Sequence, residues 1–510
     1  MSELVSSAGA LAALDEDVRE HIRNATNRAR DGGRTRWIAH VIEAEAVDGL
    51  HCYAAAGTRD RFLWERLETG DSFCAWGMAD ETESRGCDRF RDVRAWAADV
   101  RDRIDWIGAP RPEAAPTFVG GFAFGQDGPA SEHWKAFPGA RFVLPDVLVE
   151  QCQGASRHVL FARVEPGATA ESVAAELVLR QADVGAACSR AGLERTEEWE
   201  AGEALVSEVL PVASEWPPGP EYRVRSDRSP SAYRRQVNHA LREIQAGRLD
   251  KVVLARSLRV DHDGELDVPG FLERLRSIYP TCTLVAMGRG QDTFLAATPE
   301  TLVQVEGVRV ETAALAGSAA RGRHPEEDRA LAGALFASPK EQAEHAHVVR
   351  AIRAALREHC SELDAPRSPR LRALFGIQHL ETPIRGKLAA GEDGAAACSV
   401  LDLVEALHPT PAVGGVPASA ADAWLRRFEG LDRGWYAGPI GWLDVAGGGD
   451  FRVALRSALI RGGLREPGES GASRALLFAG AGVVAGSEPE RELVETRIKL
   501  RTLLAPLTEI

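Results

Sequence analysis

A single amine and several carboxylates recur through the second half of the chain in segments whose composition invites chemistry. They are Lys251 in KVVLARSLRV, Glu300 in TPETL, Glu344 in KEQAEHA, and Glu492, Glu495 and Lys499 in ERELVETRIKL. In the last segment the three residues are spaced i, i+3, i+7 and so share one face of a helix. Two carboxylates and a cation on one helical face point to a site that holds a metal beside an anion. Lys251 opens a strand-like run continued by Val252, Val253, Leu254 and Ala255. Its ammonium is therefore expected against a low-dielectric wall.

The elements that must position these groups follow from periodicity and punctuation. Helices are expected at 231–247, 268–277, 340–359, 395–407 and 418–428, the third because Val348, Val349, Ile352 and Leu356 recur at helical spacing. Strands are expected at 251–260, 282–288, 292–297, 301–305, 438–444, 451–461 and 474–484, ahead of the final helix. Residues 1 to about 210 also alternate strand-like and helical runs, with a glycine and aromatic strand, TFVGGFAFG, at 117–125. Hairpin-like strands mixed with helices indicate an α+β fold rather than a doubly wound parallel sheet. The stretch 212–231, rich in Pro, Ser and charge, reads as a surface connection. We divide the chain into an N-terminal α+β half, 1–225, structurally integrated with a catalytic region, 226–510.

Bulk properties exclude several classes. A net charge of −14 with no concentrated basic face argues against nucleic acid. No run approaches the roughly 18 apolar residues of a membrane span, and acidic residues interrupt any signal-like stretch in the first thirty positions. Eight scattered cysteines without a CxxC pair read as reduced thiols, and the protein is expected in the cytoplasm. His345 and His347 form an HxH pair whose rings point roughly 200° apart on a helix, so one zinc is not expected to take both. The glycine-rich AGAGVVAG at 479–486 has the spacing GxGxxxG and no βαβ context, which argues against a dinucleotide site.

Nine segments in one order resemble the chorismate-utilising enzymes, and within them the isochorismate synthases. They are KVVLAR, ATPETL, ALAGSAARG, KEQAEHA, QHLETPIRG, ALHPTPAVGG, WYAGPIGW, ALRSA and AGAGVVAGSEPERELVETRIKL, spanning roughly 225–505. The resemblance implies large antiparallel sheets packed together with helices outside and a cleft between them. It implies an isomerase that adds water to chorismate at C2 with loss of the C4 hydroxyl, feeding menaquinone or siderophore biosynthesis. Lys251 would be the general base and Glu300 the general acid, each with a pKa moved towards neutrality from about 10.4 and about 4.3. Glu344 and Glu495, with Glu492 as a further or water-mediated ligand, would hold Mg²⁺ through oxygen donors alone.

The substrate's carboxylates would meet Arg456 and Lys499. The backbone at Gly317, Ser318, Gly480 and Gly482 would approach it closely, and His379 and Tyr436 would line the cleft. Alternation in FRVALRSALI puts Arg452, Ala454 and Arg456 on one strand face, with Arg452, unmatched in the family, as an exposed charge. His345 and His347 would be supporting or packing residues, and His408 structural. Anthranilate synthases carry glutamine where Lys251 stands, and aminodeoxychorismate synthases a lysine where Ala316 stands, so water is the expected nucleophile and no glutamine amidotransferase subunit is expected. A salicylate synthase, which eliminates pyruvate in the same pocket, is the alternative. An inactive chorismate-binding module would be expected to lose one of these charged groups. A monomer or weak homodimer, with no membrane partner, completes the expectation.

Overall fold

A computed structural model describes residues 7–109, 115–152, 154–194, 221–391, 396–464 and 472–508. The strand-forming runs pair into two large, predominantly antiparallel sheets of thirteen and ten strands, with helices packed around them, an α+β architecture. The larger sheet runs in spatial order Tyr222–Ser226, Lys251–His262, Ala472–Val484, Ser457–Leu464, Asp292–Thr298 and Thr283–Arg289. It continues through Arg61–Arg66, Asp71–Trp76, Val147–Cys152, Ala155–Val164, Arg36–Glu43 and Ile104–Gly108. The smaller sheet is centred on Arg309–Ala320, Thr301–Glu306, Gly449–Val453, Pro439–Leu443 and Phe118–Phe122. Arg61–Arg66 pairs with Thr283–Arg289, and Phe118–Phe122 pairs with Pro439–Leu443, so each sheet is stitched from both ends of the chain.

Two strand pairs pass from one sheet into the other at the same place. Asp292–Thr298 lies in the larger sheet and Thr301–Glu306 in the smaller, while the chain returns from Gly449–Val453 to Ser457–Leu464. The crossings are tied together: Val453 N donates to Glu300 O at 3.1 Å, Ala297 N to Arg456 O at 3.1 Å, and Thr298 Oγ1 to Val453 O at 2.6 Å. The expected single strand over 451–461 is therefore broken, and the shared face of Arg452, Ala454 and Arg456 does not exist. Arg456 sits at the break with φ +45°, a conformation that ends strand alternation.

The helices over 230–245, 268–278, 339–357 and 418–428 lie where periodicity puts them. The expected helix over 395–407 starts later, at Val400, capped by Ser399 and Asp402. Residues 212–220 of the expected surface connection lie outside the described residues. The rest of it is not plain loop, since Tyr222–Ser226 forms an edge strand against Lys251–His262 and Pro230 opens a helix. Strands Arg309–Ala320 and Ile377–Leu388 and helix Pro325–Ala337 were not foreseen.

The TFVGGFAFG segment supplies Phe118–Phe122, buried at every position. Its glycines allow strand backbone and an indole to close on it: a Cβ at Gly120 would stand 2.0 Å from Arg141 O, and one at Gly121 2.7 Å from the Trp435 ring. Trp435 belongs to an aromatic cluster with Phe137 and Phe294, their ring centroids 5.4 and 6.0 Å away, and the next residue, Tyr436, stacks on Phe478 at 5.2 Å. Gly120→Ala should thus destabilise the fold by about 1–3 kcal/mol, the usual result of forcing a methyl into packed backbone. A denaturant midpoint equal to the parent's would show that the sheet yields there.

Candidate active site

Helix Pro339–Arg357 starts on a Ser338 cap, whose Oγ accepts from Glu341 N at 3.3 Å, with proline in its first turn. Glu344, Val348 and Ile352 fall on its buried stripe, so an apolar face carries one carboxylate inward. There it meets Lys251, the first residue of Lys251–His262. Lys251 Nζ lies 2.9 Å from Glu344 Oε1, and the lysine side chain is 0% exposed. The pair has ion-pair distance, and among the described residues the ammonium has no acceptor besides Glu344. Burial pushes the Glu344 carboxyl up, but Lys251, then Lys340 and Lys499, outweigh it and hold its pKa below the ordinary value.

Glu300 occupies the first sheet crossing, after Pro299, and is 5% exposed. Burial raises its pKa to about 7 against the pull of Lys251 and Lys499. Unlike Glu344, it lies near cations without a salt-bridge contact among the described residues, so it is poised to carry a proton near neutrality.

Helix Pro489–Leu507 brings in the remaining charges. Glu492 is 1% exposed and lies 3.0 Å from Lys340 Nζ; burial, then the neighbouring Glu495, raises its pKa to about 7 against Lys340. Lys499 Nζ donates to Glu495 Oε1 at 2.7 Å and to Gly480 O at 2.9 Å. Each of the three carboxylates expected at a metal is thus covered by a different lysine. Among the described residues no three His, Cys, Asp or Glu side chains are grouped as a metal site.

The strand Arg309–Ala320 breaks register between Ala316 and Ser318, at Gly317 with φ +78°. Ser318 N donates to Glu341 Oε2 at 2.9 Å, and Ser318 Oγ stands 2.9 Å from His379 Nδ1. Burial, then Arg456 and Lys499, holds the His379 pKa well below the usual value, so its ring is neutral. Tyr436 is buried, and burial pushes its hydroxyl pKa up. Arg456, at the second crossing, lies over the Tyr279 ring at 5.1 Å and reaches Cys282 Sγ at 3.6 Å.

Gly480 and Gly482 lie inside Ala472–Val484, paired with Ala255 and Val253. They make room for neighbouring side chains: a Cβ at Gly482 would meet Glu344 Oε1 at 2.2 Å, and one at Gly480 the Tyr436 hydroxyl at 3.0 Å. Arg452 is not an exposed charge. Its side chain is 9% exposed, paired with Asp450 at 2.7 Å and hydrogen-bonded to Thr301 Oγ1, because its strand lies inside the smaller sheet between Thr301–Glu306 and Pro439–Leu443. His345 bonds Ala316 O at 3.1 Å and Thr382 Oγ1 at 2.7 Å, His347 pairs with Arg350, and His408 holds Phe124 O at 3.0 Å. Lys340 and Glu341 were missed, although i−4 and i−3 spacing from Glu344 puts them on its helix face.

The sequence and fold are those of a known family. A family described as chorismate binding enzyme matches residues 22–508, and the chain belongs to it. Over its full length the chain is 37% identical to the salicylate biosynthesis isochorismate synthase of Pseudomonas aeruginosa, spanning 97% of that protein. It is 30% identical to the isochorismate synthase MenF of Bacillus subtilis, over 98% of this chain and 99% of that one. MenF, the menaquinone-specific isochorismate synthase from Escherichia coli, superposes with a TM-score of 0.68 at 23% identity, over 96% of this chain and all of that structure. The resemblance read from the nine segments is borne out.

The folded-state pKa of Glu300 lies above its ordinary 4.5, so the stability of its neutral form is fully present below about pH 4.5 and is lost as pH rises through 7. Glu300→Gln is neutral throughout and should gain on the parent by on the order of 3 kcal/mol between about pH 5 and pH 8. Denaturation midpoints across that range test this. A constant difference would mean that Glu300 stays charged.

Proposed function

We propose that the protein is an isochorismate synthase that interconverts chorismate and isochorismate by adding water at C2 with loss of the C4 hydroxyl. The observation that carries this reading is that a fully buried amine, Lys251, and a buried carboxyl, Glu300, raised to about 7 and within the electrostatic reach of Lys251, share one interior. In the proposed reaction Lys251 acts as the neutral amine, its ammonium having first released a proton to solvent; it then accepts the proton of the attacking water, and Glu300 gives its proton to the departing hydroxyl. The reverse reaction exchanges the two roles. Arg456 and Lys499 would take a substrate carboxylate, with His379 as a neutral neighbour that adds no competing charge.

The donor set Glu344, Glu492 and Glu495 fits Mg²⁺ in chemistry, being all oxygen. Burial beside Glu495 leaves Glu492 with a raised pKa, a sign of negative charge that a cation would relieve. The ion would supply positive charge to neutralise a chorismate carboxylate. Lys340, Lys251 and Lys499, which cover these oxygens, would have to give them up. The likeness to the salicylate-pathway relative favours supply of isochorismate for salicylate over menaquinone. Eight free cysteines support a reducing compartment such as the cytoplasm, and no helix among the described residues is long and apolar enough to cross a membrane.

Purified protein with chorismate and Mg²⁺ should yield isochorismate. Salicylate plus pyruvate as the first products would replace this reading with a salicylate synthase. Lys251→Ala and Glu300→Gln should each lower turnover by about two to four orders of magnitude in both directions, and near-normal rates from folded Lys251→Ala would remove it as the base.

Chelation should abolish turnover and Mg²⁺ restore it, with Mg²⁺ binding seen by calorimetry in the parent and weakened in Glu495→Gln. Full activity in excess chelator would sink the metal assignment.

A further inference from the structure

The strand that carries Lys251 is incompletely flanked on the side away from Ala472–Val484. Gly415–Val416 covers its start, pairing with Lys251 and Val252, and Tyr222–Ser226 covers its end from Leu258 onward. Two further bonds narrow the gap: Val253 N donates to Gly414 O at 2.8 Å, and Asp227 N to Ser257 O at 3.1 Å. Between them no strand faces Val253–Ser257 on that side among the described residues. Val253 and Ala255 are both buried, so their backbone groups need partners from elsewhere.

Two side chains supply them. Ala255 N donates to Glu429 Oε1 at 2.8 Å, and Arg433 Nη2 donates to Val253 O at 2.8 Å. Glu429 and Arg433 are themselves buried and joined by two bonds, Nε to Oε2 at 2.7 Å and Nη2 to Oε1 at 2.6 Å. An acceptor for one amide and a donor for the carbonyl two residues before it are what a neighbouring strand would present. The pair lies just beyond helix Ala418–Phe428, where the carbonyls of Phe428 and Glu429 accept from Gln236 Nε2 at 2.9 and 3.0 Å.

The remaining contacts of Arg433 lead towards the candidate active site. Its Nη1 donates to Val413 O at 2.8 Å, next to the segment that pairs with the start of the Lys251 strand, and its guanidinium lies 5.9 Å from the Tyr436 ring. Side chains at 251, 253 and 255 share one strand face. Across from that face a Cβ at Gly480 would stand 3.2 Å from Val253 Cγ1, and one at Gly482 3.2 Å from Lys251 Cε. A shift of the backbone at Val253 or Ala255 would therefore carry Lys251 away from Glu344. A buried ion pair adds little net stability over apolar residues of the same size; what this one adds is a fixed backbone two residues from the amine.

We propose that Glu429 and Arg433 are a positioning pair for the reaction, standing in for a missing strand so that Lys251 is held where it can take a proton from water. The proposal rests on the reading of Lys251 as the base. In Arg433→Lys one ammonium replaces a planar fork and cannot serve Glu429, Val253 O and Val413 O together. The double variant Glu429→Gln with Arg433→Met removes both charges at once and strands neither, which keeps the test available where the single variant does not fold.

Turnover, and chorismate binding by calorimetry, are measured on full-length protein with the parent's circular dichroism spectrum. We expect kcat to fall by about a hundredfold, the usual result of a misplacement of about 1 Å, with chorismate Kd within about twofold of the parent's and binding stoichiometry unchanged. A kcat equal to the parent's would overturn the proposal. So would a loss of kcat matched by an equal loss of chorismate-binding sites, which marks unfolded protein rather than a displaced base. The parent's product tests the reading of the reaction, whereas the ratio of variant to parent tests the pair, whichever product is formed.

Discussion

The centre of this molecule depends on two neighbouring strands changing sheets side by side. Where a strand leaves one sheet for another its alternation stops, and the residue at the step can point into the gap between them. Glu300 stands at one step and Arg456 at the other, and the two backbones are locked by Val453 N to Glu300 O and Ala297 N to Arg456 O. Arg456 keeps its left-handed conformation, which costs about 1–3 kcal/mol for such a residue, because its carbonyl is claimed by the partner crossing. An acid and a cation are thereby fixed by main chain rather than by side-chain packing alone.

Burying charge around that seam poses one problem with two solutions. Lys251, Glu492 and Glu344 are removed from water and compensated by opposite charge at 2.9 to 3.0 Å. Such pairs add little net stability, yet removing one partner strands the other and is strongly destabilising. Among the described residues Glu300 has no such close partner, and its pKa meets desolvation by rising towards neutrality. The same interior thus holds one glutamate ionised and another close to protonation, which is the asymmetry acid and base catalysis requires.

Much of this was legible in the sequence. Periodicity, Ser338 and two prolines fix the helices that carry Glu344 and Glu492, and the apolar run after Lys251 announces its burial. The roles of Lys251 and Glu300 came from the resemblance and not from spacing. The broken strand escaped notice because FRVALRSALI keeps its alternation in sequence while Arg456 interrupts it in space. Lys340 opposite Glu492, and Asp450 under Arg452, depend on the approach of elements far apart in the chain, which no local pattern encodes. Gly480 and Gly482 looked like close-approach glycines for a ligand; that they also leave room for Tyr436 and Glu344 is visible only once strands and helices are packed.

The strand that begins at Lys251 has as its long neighbour Ala472–Val484, with Lys251 opposite Val484. On the ribosome that edge must wait for its partner until residues 472–484 have emerged. Pairing between such distant segments is slow because loop closure comes before its reward, and an unpaired strand edge invites aggregation. Until Ala472–Val484 is made, the longest edge of the strand that begins at Lys251 stays open, which makes synthesis of that distant segment decisive for solubility.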